Sequence, residues 1–541
     1  MKKIIINKSK QMMVLSIILV GLFASSCDEE EFLTENPKDA IYAENLYNRY
    51  SGFKLALNAL NRFVAEERAK GVGHNQEAMM FKLGTDNHTT NIRASWTVGN
   101  GWYVPDFVNS ERPYIDRTWD YLYRVINSAN LCIARAENPD VDWEGANEAE
   151  SEANKNFVIA NAKLVWAWAY RHLTYNFGAV PLSQDEINGL NYRNDWTREP
   201  VSSIRSVMEE YLLFAEAHLP EKYDDAQIPT QAVARHYLAE LYLAMDRPED
   251  AEDKALLVAN DSQFKLITER YGVKANEPGV PFMDQFYDGN ALPSQGNTEA
   301  LWVTLGKEDV QGNPLNQMRR GWITPFYQII PLSVEMGGRG FGQAALTAYA
   351  WDVYDDPNDD RFSEYALRKY VIDKEGDTIW TKHSREDEPT FSKNGIKDWY
   401  CTRKWDWVDP DDLAGAYQSN VQPYIRLAET YLLLAEAQMK NEKKTEAAEW
   451  INKLRRRANA TEISPSDVTI EFILDERSRE LVSEEHRPYT LKRLGLLYSR
   501  TMQYNKGAAE YMQPHNVLYP IPQTVIDANT GAVMEQNPGY N

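Results

Sequence analysis

The stretch LAETYLLLAEAQMKNEKKTEAAEWINKLRRRA, residues 427–458, contains two amphipathic runs around a polar turn. Tyr424, Leu427, Tyr431, Leu434 and Gln438 recur at steps of three or four residues, which places them on one helical face. LAELYLAMDRPEDAEDKALLVA, which begins at Leu238, repeats the pattern: Leu-Ala-Glu-x-Tyr-Leu, a polar turn, then a second Ala-rich run. Small residues where two helices touch predict packed hairpins. Residues 153–177 with 201–219 predict a further pair. DERSRELVSEEHRPYTLKRLG, residues 475–495, predicts another helix, interrupted near Pro488.

These pairs read as tetratricopeptide-like units scattered along the chain. Between them, residues 84–118 and 272–423 show no helical period. ALWVTL at 300–305 predicts a short strand, and IDKEGDTIW at 372–380 predicts a hairpin. Connections this long are functional or disordered, and their aromatic content argues against disorder. The expected fold is mostly α: helix pairs as scaffold, long irregular loops and a few short strands. No clean linker divides it, so residues 38–541 are expected to form a single composite domain.

The N-terminus is of another kind. Lys2, Lys3, Lys8 and Lys10 precede an apolar run, residues 12–24, that is too short to span a bilayer. This is the pattern of a secretory signal, residues 1–26. Loss of those four lysines takes the formal charge from −22 to −26, which disfavours nucleic acid as a partner. LFASSCDEEEFL, residues 22–33, then sets a cysteine between apolar and acidic residues. It resembles a degenerate bacterial lipobox. On that reading Cys27 is the lipidated first residue of the mature chain, and residues 27–37 are its acidic tether. More than one acyl chain gives stable anchoring where one does not. Cys132 and Cys401 make no zinc spacing and no disulfide framework, although a single bridge between them is open.

There are 15 Trp and 31 Tyr, and many of them fall in or beside the irregular segments. A sugar ring packs its C–H face on a flat aromatic and needs Asp, Asn or Arg around its rim. Trp96 and Trp102, near Asp86, Asn87 and Arg93, offer both elements on one loop. Glu476, Glu480 and Glu484 share one helical face and invite comparison with the paired carboxylates of glycosidases. Arg479 and Arg487 lie close in sequence, however, and a structural ion network with them is the expectation. DDPNDDRF, residues 355–362, lacks the spacing and glycine of a calcium loop. No metalloprotease, serine-hydrolase or phosphate-loop motif occurs. The expectation is a binder with no catalytic residue, no metal and no cofactor.

Taken in order, five stretches resemble the SusD/RagB family of Bacteroidetes surface lipoproteins over nearly the whole mature chain. They are CDEEEFLTENP; NFGAVPL, with Ala179 in place of the usual acid; YIRLAETYLLLAEA with INKLRRRA; ERSRELVSEEHRPYTLKRLG; and LYPIPQTVIDANTGAVMEQNPGY. Pro488 and Thr490 stand where the family usually has an aromatic and an aspartate. The resemblance implies an outer-membrane, surface-exposed, lipid-anchored nutrient binder. It would act as the lid of a SusC-like TonB-dependent transporter and hold oligosaccharide for import. Its ligand platform would fall in residues 84–105 and 290–330, which nominates Trp96, Trp102, Tyr103, Asp86, Asn87, Arg93, Trp302 and Trp322. A peptide-binding lid of the same architecture and a surface glycosidase are the alternatives.

Overall fold

The computed structural model describes residues 46–68, 80–89, 108–222, 228–304, 316–328, 330–373, 375–380, 401–415 and 417–540. Residues Tyr47–Asn541 form one unit by their contacts, and Met1–Leu46 a separate one. The expected signal sequence, Cys27 and the acidic tether lie outside the described residues.

The helices α1 (Tyr50–Glu66), α2 (Pro113–Ala136), α3 (Glu148–Phe177), α4 (Val201–His218), α5 (Gln231–Ala244) and α6 (Pro248–Ala259) follow one another along the chain. Helix α3 is the axis of this layer and packs on α1, α2 and α4. From Phe157 to Phe177 almost every side chain is buried, so the segment is apolar on all sides rather than along one stripe. Its start is capped by Asn147, whose side chain accepts from the Glu150 amide at 3.1 Å. Its end is set by Gly178 at φ 72°, a conformation that favours glycine, and there a Cβ would meet Leu518 at 3.0 Å. The chain then turns into Pro181, away from the helix axis.

After α6 the chain leaves the helical layer. It passes β1's partner strand β3, then returns to the stack at β6 (β1 His88–Thr89, β2 Ala300–Thr304, β3 Ala345–Leu346, β4 Tyr370–Ile372, β5 Thr378–Trp380, β6 Gln422–Arg426). The pairs β1–β3, β2–β6 and β4–β5 are all antiparallel. Strand β6 runs directly into α7 (Leu427–Lys440), which forms a hairpin with α8 (Lys444–Arg457). Helix α7 also packs on α5 and α6. Hairpins that the sequence scatters are therefore neighbours in space. The intervening excursion is closed at its base by β2–β6, where Ala300 faces Arg426 and the Leu427 amide donates to Glu299 O at 2.8 Å.

The last helices are α9 (Ile470–Leu481), α10 (Arg487–Arg493), α11 (Leu497–Tyr504) and α12 (Gln523–Ala528). The expected interruption is present, but Pro488 does not cause it. Helix α9 ends at Leu481, and Pro488 sits in the first turn of α10, where a missing N–H costs nothing. The break is at Ser483, whose φ of 66° costs an L-residue about 1–2 kcal/mol. Trp405 Nε1 donates to its hydroxyl at 2.8 Å, and its amide donates to His88 Nε2 at 3.2 Å. Cys132 and Cys401 are both buried free thiols, so no bridge joins them.

Candidate functional site

Glu476 and Glu480 on α9, and Glu484, which lies past the helix end rather than on the expected common face, are in the interior. Glu476 and Glu480 are wholly buried, and Glu484 nearly so. Glu476 accepts from Arg361 (2.8 Å), Arg455 (3.0 Å) and Arg479 (2.9 Å). Glu480 accepts from Arg361 (3.1 Å), Arg426 (3.1 Å) and Arg457 (2.5 Å). Glu484 takes both Arg426 Nε (2.6 Å) and Nη2 (2.8 Å), with Lys404 at 2.5 Å. Glu299, at the foot of β2, is held by Arg426 and Arg457. Only Arg479 is a near neighbour in sequence; the other partners come from β6, α8 and the excursion between α6 and β6. Burial pushes the Glu476 and Glu480 carboxyls up, but the surrounding guanidinium groups outweigh it. Glu476 is held down at about 2, and Glu480 also lies well below the usual carboxylate range. Carboxylates so sealed and so fully paired cannot exchange protons with a substrate. Their work is to fasten the irregular segments to the helical stack.

A second knot adjoins the first. Glu485 accepts from Arg477 Nε at 2.7 Å, from Arg487 Nη1 at 3.1 Å and from the Thr490 hydroxyl at 3.3 Å. The resemblance leads one to expect a carboxylate at position 490; here Glu485 supplies the charge and Thr490 only a hydroxyl. Arg487 in turn grips Asp86 with two parallel bonds of 2.9 and 2.7 Å, and Arg500 adds a third at 2.6 Å.

The nominated platform therefore divides. Trp96, Trp102, Tyr103 and Arg93 lie outside the described residues. Asp86, Asn87, Trp302 and Trp322 are internal, each at 0–2% exposure. Asp86 is consumed by Arg487 and Arg500, and Asn87 Oδ1 accepts from Ser478 at 2.8 Å. Trp302 stands edge-on to Tyr424, ring centres 5.4 Å apart. Trp322 packs edge-on against His88 at 4.8 Å, in a core with Trp351 and Trp405. These four hold the loops to the body, so the expectation that they face ligand is corrected. Their buried partners come from segments more than a hundred positions away, which local composition cannot reveal.

Glu67, His172 and His486 are buried together with ligand-type atoms within 4.8 Å of one another, which raises the question of a metal. His486 Nε2 is 2.7 Å from Glu67 Oε1, and its Nδ1 faces Arg171 Nη1 at 3.3 Å. A guanidinium only donates, so Nδ1 accepts and the proton sits on Nε2, donated to Glu67. A metal on Nε2 would need an imidazole whose other nitrogen donates outward. The trio is a proton-bearing knot rather than a ligand cage.

Burial also holds several imidazoles neutral. It lowers His88 and His236 to about 3 and His486 to about 4, although Glu67 beside His486 works the other way. An unfolded histidine titrates near 6.5, so between about pH 6.5 and 4 the unfolded chain binds more protons and stability falls as pH falls. Glu476 extends the loss from about 4.5 toward 2, since its folded value is depressed. The urea midpoint is expected to be clearly lower at about pH 5 than at about pH 7. Equal midpoints would contradict the buried, neutral assignment of these rings.

Outside the interior, a cleft of about 640 Å³ opens between the outer face of α2, the loop after α3 and the C-terminal segment around α12. Trp119 and Tyr123 form its floor, ring centres 5.0 Å apart. Trp196 and Tyr192 come from the loop, and Met534 from the C-terminal segment. The walls are tied by side-chain amides. Asn127 bonds both the amide (2.7 Å) and carbonyl (2.9 Å) of Ile187, and Asn529 does the same for Trp196 (2.8 and 2.9 Å). Nothing in the sequence announced this cleft beyond NFGAVPL and the C-terminal stretch, because segments far apart in the chain build it.

The class is a helical-repeat scaffold that carries irregular loops and surface recesses and spends its interior ionisable groups on itself. The model described as the SusD family matches residues 338–540. SusD-like protein P25 of Formosa agariphila is 24% identical, over 95% of this chain and 96% of that one. A SusD homolog from Bacteroides thetaiotaomicron superposes with a TM-score of 0.72 at 19% identity, covering 93% of this chain and 100% of its own. A laminarin-binding SusD-like protein gives 0.67 at 18%, with 91% and 99% covered. The C-terminal part of the chain thus matches the SusD family, and the fold is that of SusD-like proteins.

Proposed function

We propose that this protein is a non-catalytic, lipid-anchored carbohydrate-binding protein of the cell surface, which captures oligosaccharides and passes them to a SusC-like TonB-dependent transporter. The likeness to a laminarin-binding SusD-like protein along nearly the whole chain carries the reading. The state of the α9 carboxylates supports it, because the Glu476–Glu480 pair that suggested glycoside hydrolysis is buried and neutralised. Among the described residues no helix is long and apolar enough to cross a membrane. Cys27 is the proposed point of attachment. Trp96, Trp102, Tyr103 and Arg93 remain the proposed ligand loop.

Calorimetry with neutral oligosaccharides and with oligopeptides tests this. Oligosaccharide binding is expected, and Trp96→Ala and Trp102→Ala should each cost about 1 kcal/mol, roughly five-fold in Kd. Binding of peptides alone would replace the glycan reading with the peptide one. Mass spectrometry of the mature N-terminus should find a diacylglyceryl adduct on Cys27.

A further inference from the structure

The cleft on the outer face of α2 has features that the fold does not need. Tyr192 is 70% exposed on a loop whose course is pinned: Asn191 donates to Glu186 O at 2.8 Å, and the Gly531 amide donates to Asn194 O at 2.7 Å. A large ring held out in water on a rigid loop contributes nothing to the core and is already ordered for a partner. The charges around the cleft cancel in pairs. Arg124 meets Asp120 at 3.0 Å, and Arg193, lying over the Trp196 ring at 4.4 Å, meets Asp195 at 2.8 Å. In a chain of strongly negative charge this local neutrality selects neither an anion nor a cation. All four of these charged side chains are about half exposed or more, so their remaining donors and acceptors face solvent at the rim.

We infer that this recess is a second carbohydrate site, which takes one or two pyranose rings of a neutral oligosaccharide with Tyr192 as stacking platform and the Asp120–Arg124 pair bonding vicinal hydroxyls. Its volume falls within the roughly 300–1,000 Å³ of small-ligand sites. A recess of this volume with a polar rim favours a small amphipathic ligand over a protein, whose docking surfaces have apolar centres. The inference rests on the carbohydrate-binding reading but uses residues separate from the Trp96–Tyr103 loop.

Calorimetry on the full mature chain with laminarihexaose, maltohexaose and xylohexaose tests it. The Trp96→Ala/Trp102→Ala chain is expected to retain a weaker phase, which Tyr192→Ala weakens about three- to ten-fold and Asp120→Ala also weakens. Both positions are exposed, so unchanged thermal melting should accompany the loss. If the native chain binds a hexasaccharide and neither variant alters any phase, the second site is wrong while the proposed function stands. If Trp96→Ala/Trp102→Ala removes all binding, the second site is equally wrong. If no hexasaccharide binds the native chain, the proposed function falls first and this inference with it. Loss of a co-purifying protein without loss of sugar affinity would assign the recess to a protein partner instead.

Discussion

Arg426→Leu is expected to destabilise the protein by about 3–5 kcal/mol, the scale for leaving buried charges without their partner. One guanidinium meets Glu299, Glu480 and Glu484 at 2.6–3.1 Å, and all of these groups are buried. Leucine fills part of the volume but neutralises nothing. Glu480 keeps Arg361 and Arg457, and Glu484 keeps Lys404. Glu484 therefore bears most of the loss, since two of its three bonds come from Arg426. Urea unfolding at neutral pH measures the change. The double variant Arg426→Leu/Glu484→Leu should recover part of it, because the orphaned charge goes with its partner. A single-variant loss under about 1 kcal/mol would mean that water reaches the network, contrary to its burial.

Asp86→Ala is expected to have an effect of similar size, again about 3–5 kcal/mol, and to separate two roles for one residue. In the sequence it looks like a sugar-binding aspartate on a loop. In the structure it is fully buried and accepts three bonds from Arg487 and Arg500. Burial alone would raise its pKa, and the two guanidinium groups instead hold it low. Removal takes from Arg487 and Arg500 the carboxylate they share, leaving Arg487 to Glu485 and Arg500 to Glu471. The melting temperature should fall sharply, while the molecules that remain folded bind oligosaccharide as before. An unchanged melting temperature with lost affinity would return Asp86 to the ligand site.

The two residues also show what a single sequence reveals. The helix pairs were legible because an apolar stripe repeats at 3.6 residues and each turn carries its own polar signal, as at 427–458. The stacking of α7 on α5 and α6 was not, since it depends on an excursion returning through β2–β6. The ion network was legible as a type: acids spaced by four with arginines at hand, although α9 ends at Leu481 and so carries Glu476 and Glu480 but not Glu484. Its true partners, such as Arg361 for Glu476, lie more than a hundred positions away. Trp302 and Trp322 misled for the same reason. A tryptophan in an irregular segment reads as available, and only tertiary packing shows that Tyr424 and His88 already cover it. Tyr192 was the converse, passed over because nothing in its short loop announces the α2 face opposite.

The excursion closed by β2–β6 is fastened again further along, by Arg361, which Asp359 orients, and by Lys404. Arg361 and Lys404 share buried carboxylates of the helical body with arginines of that body. Descendants of this chain can therefore rewrite the stretches between fasteners, in length and in chemistry, while the fasteners themselves are locked. Variety in the loops and constancy of architecture follow from the same arrangement of charges.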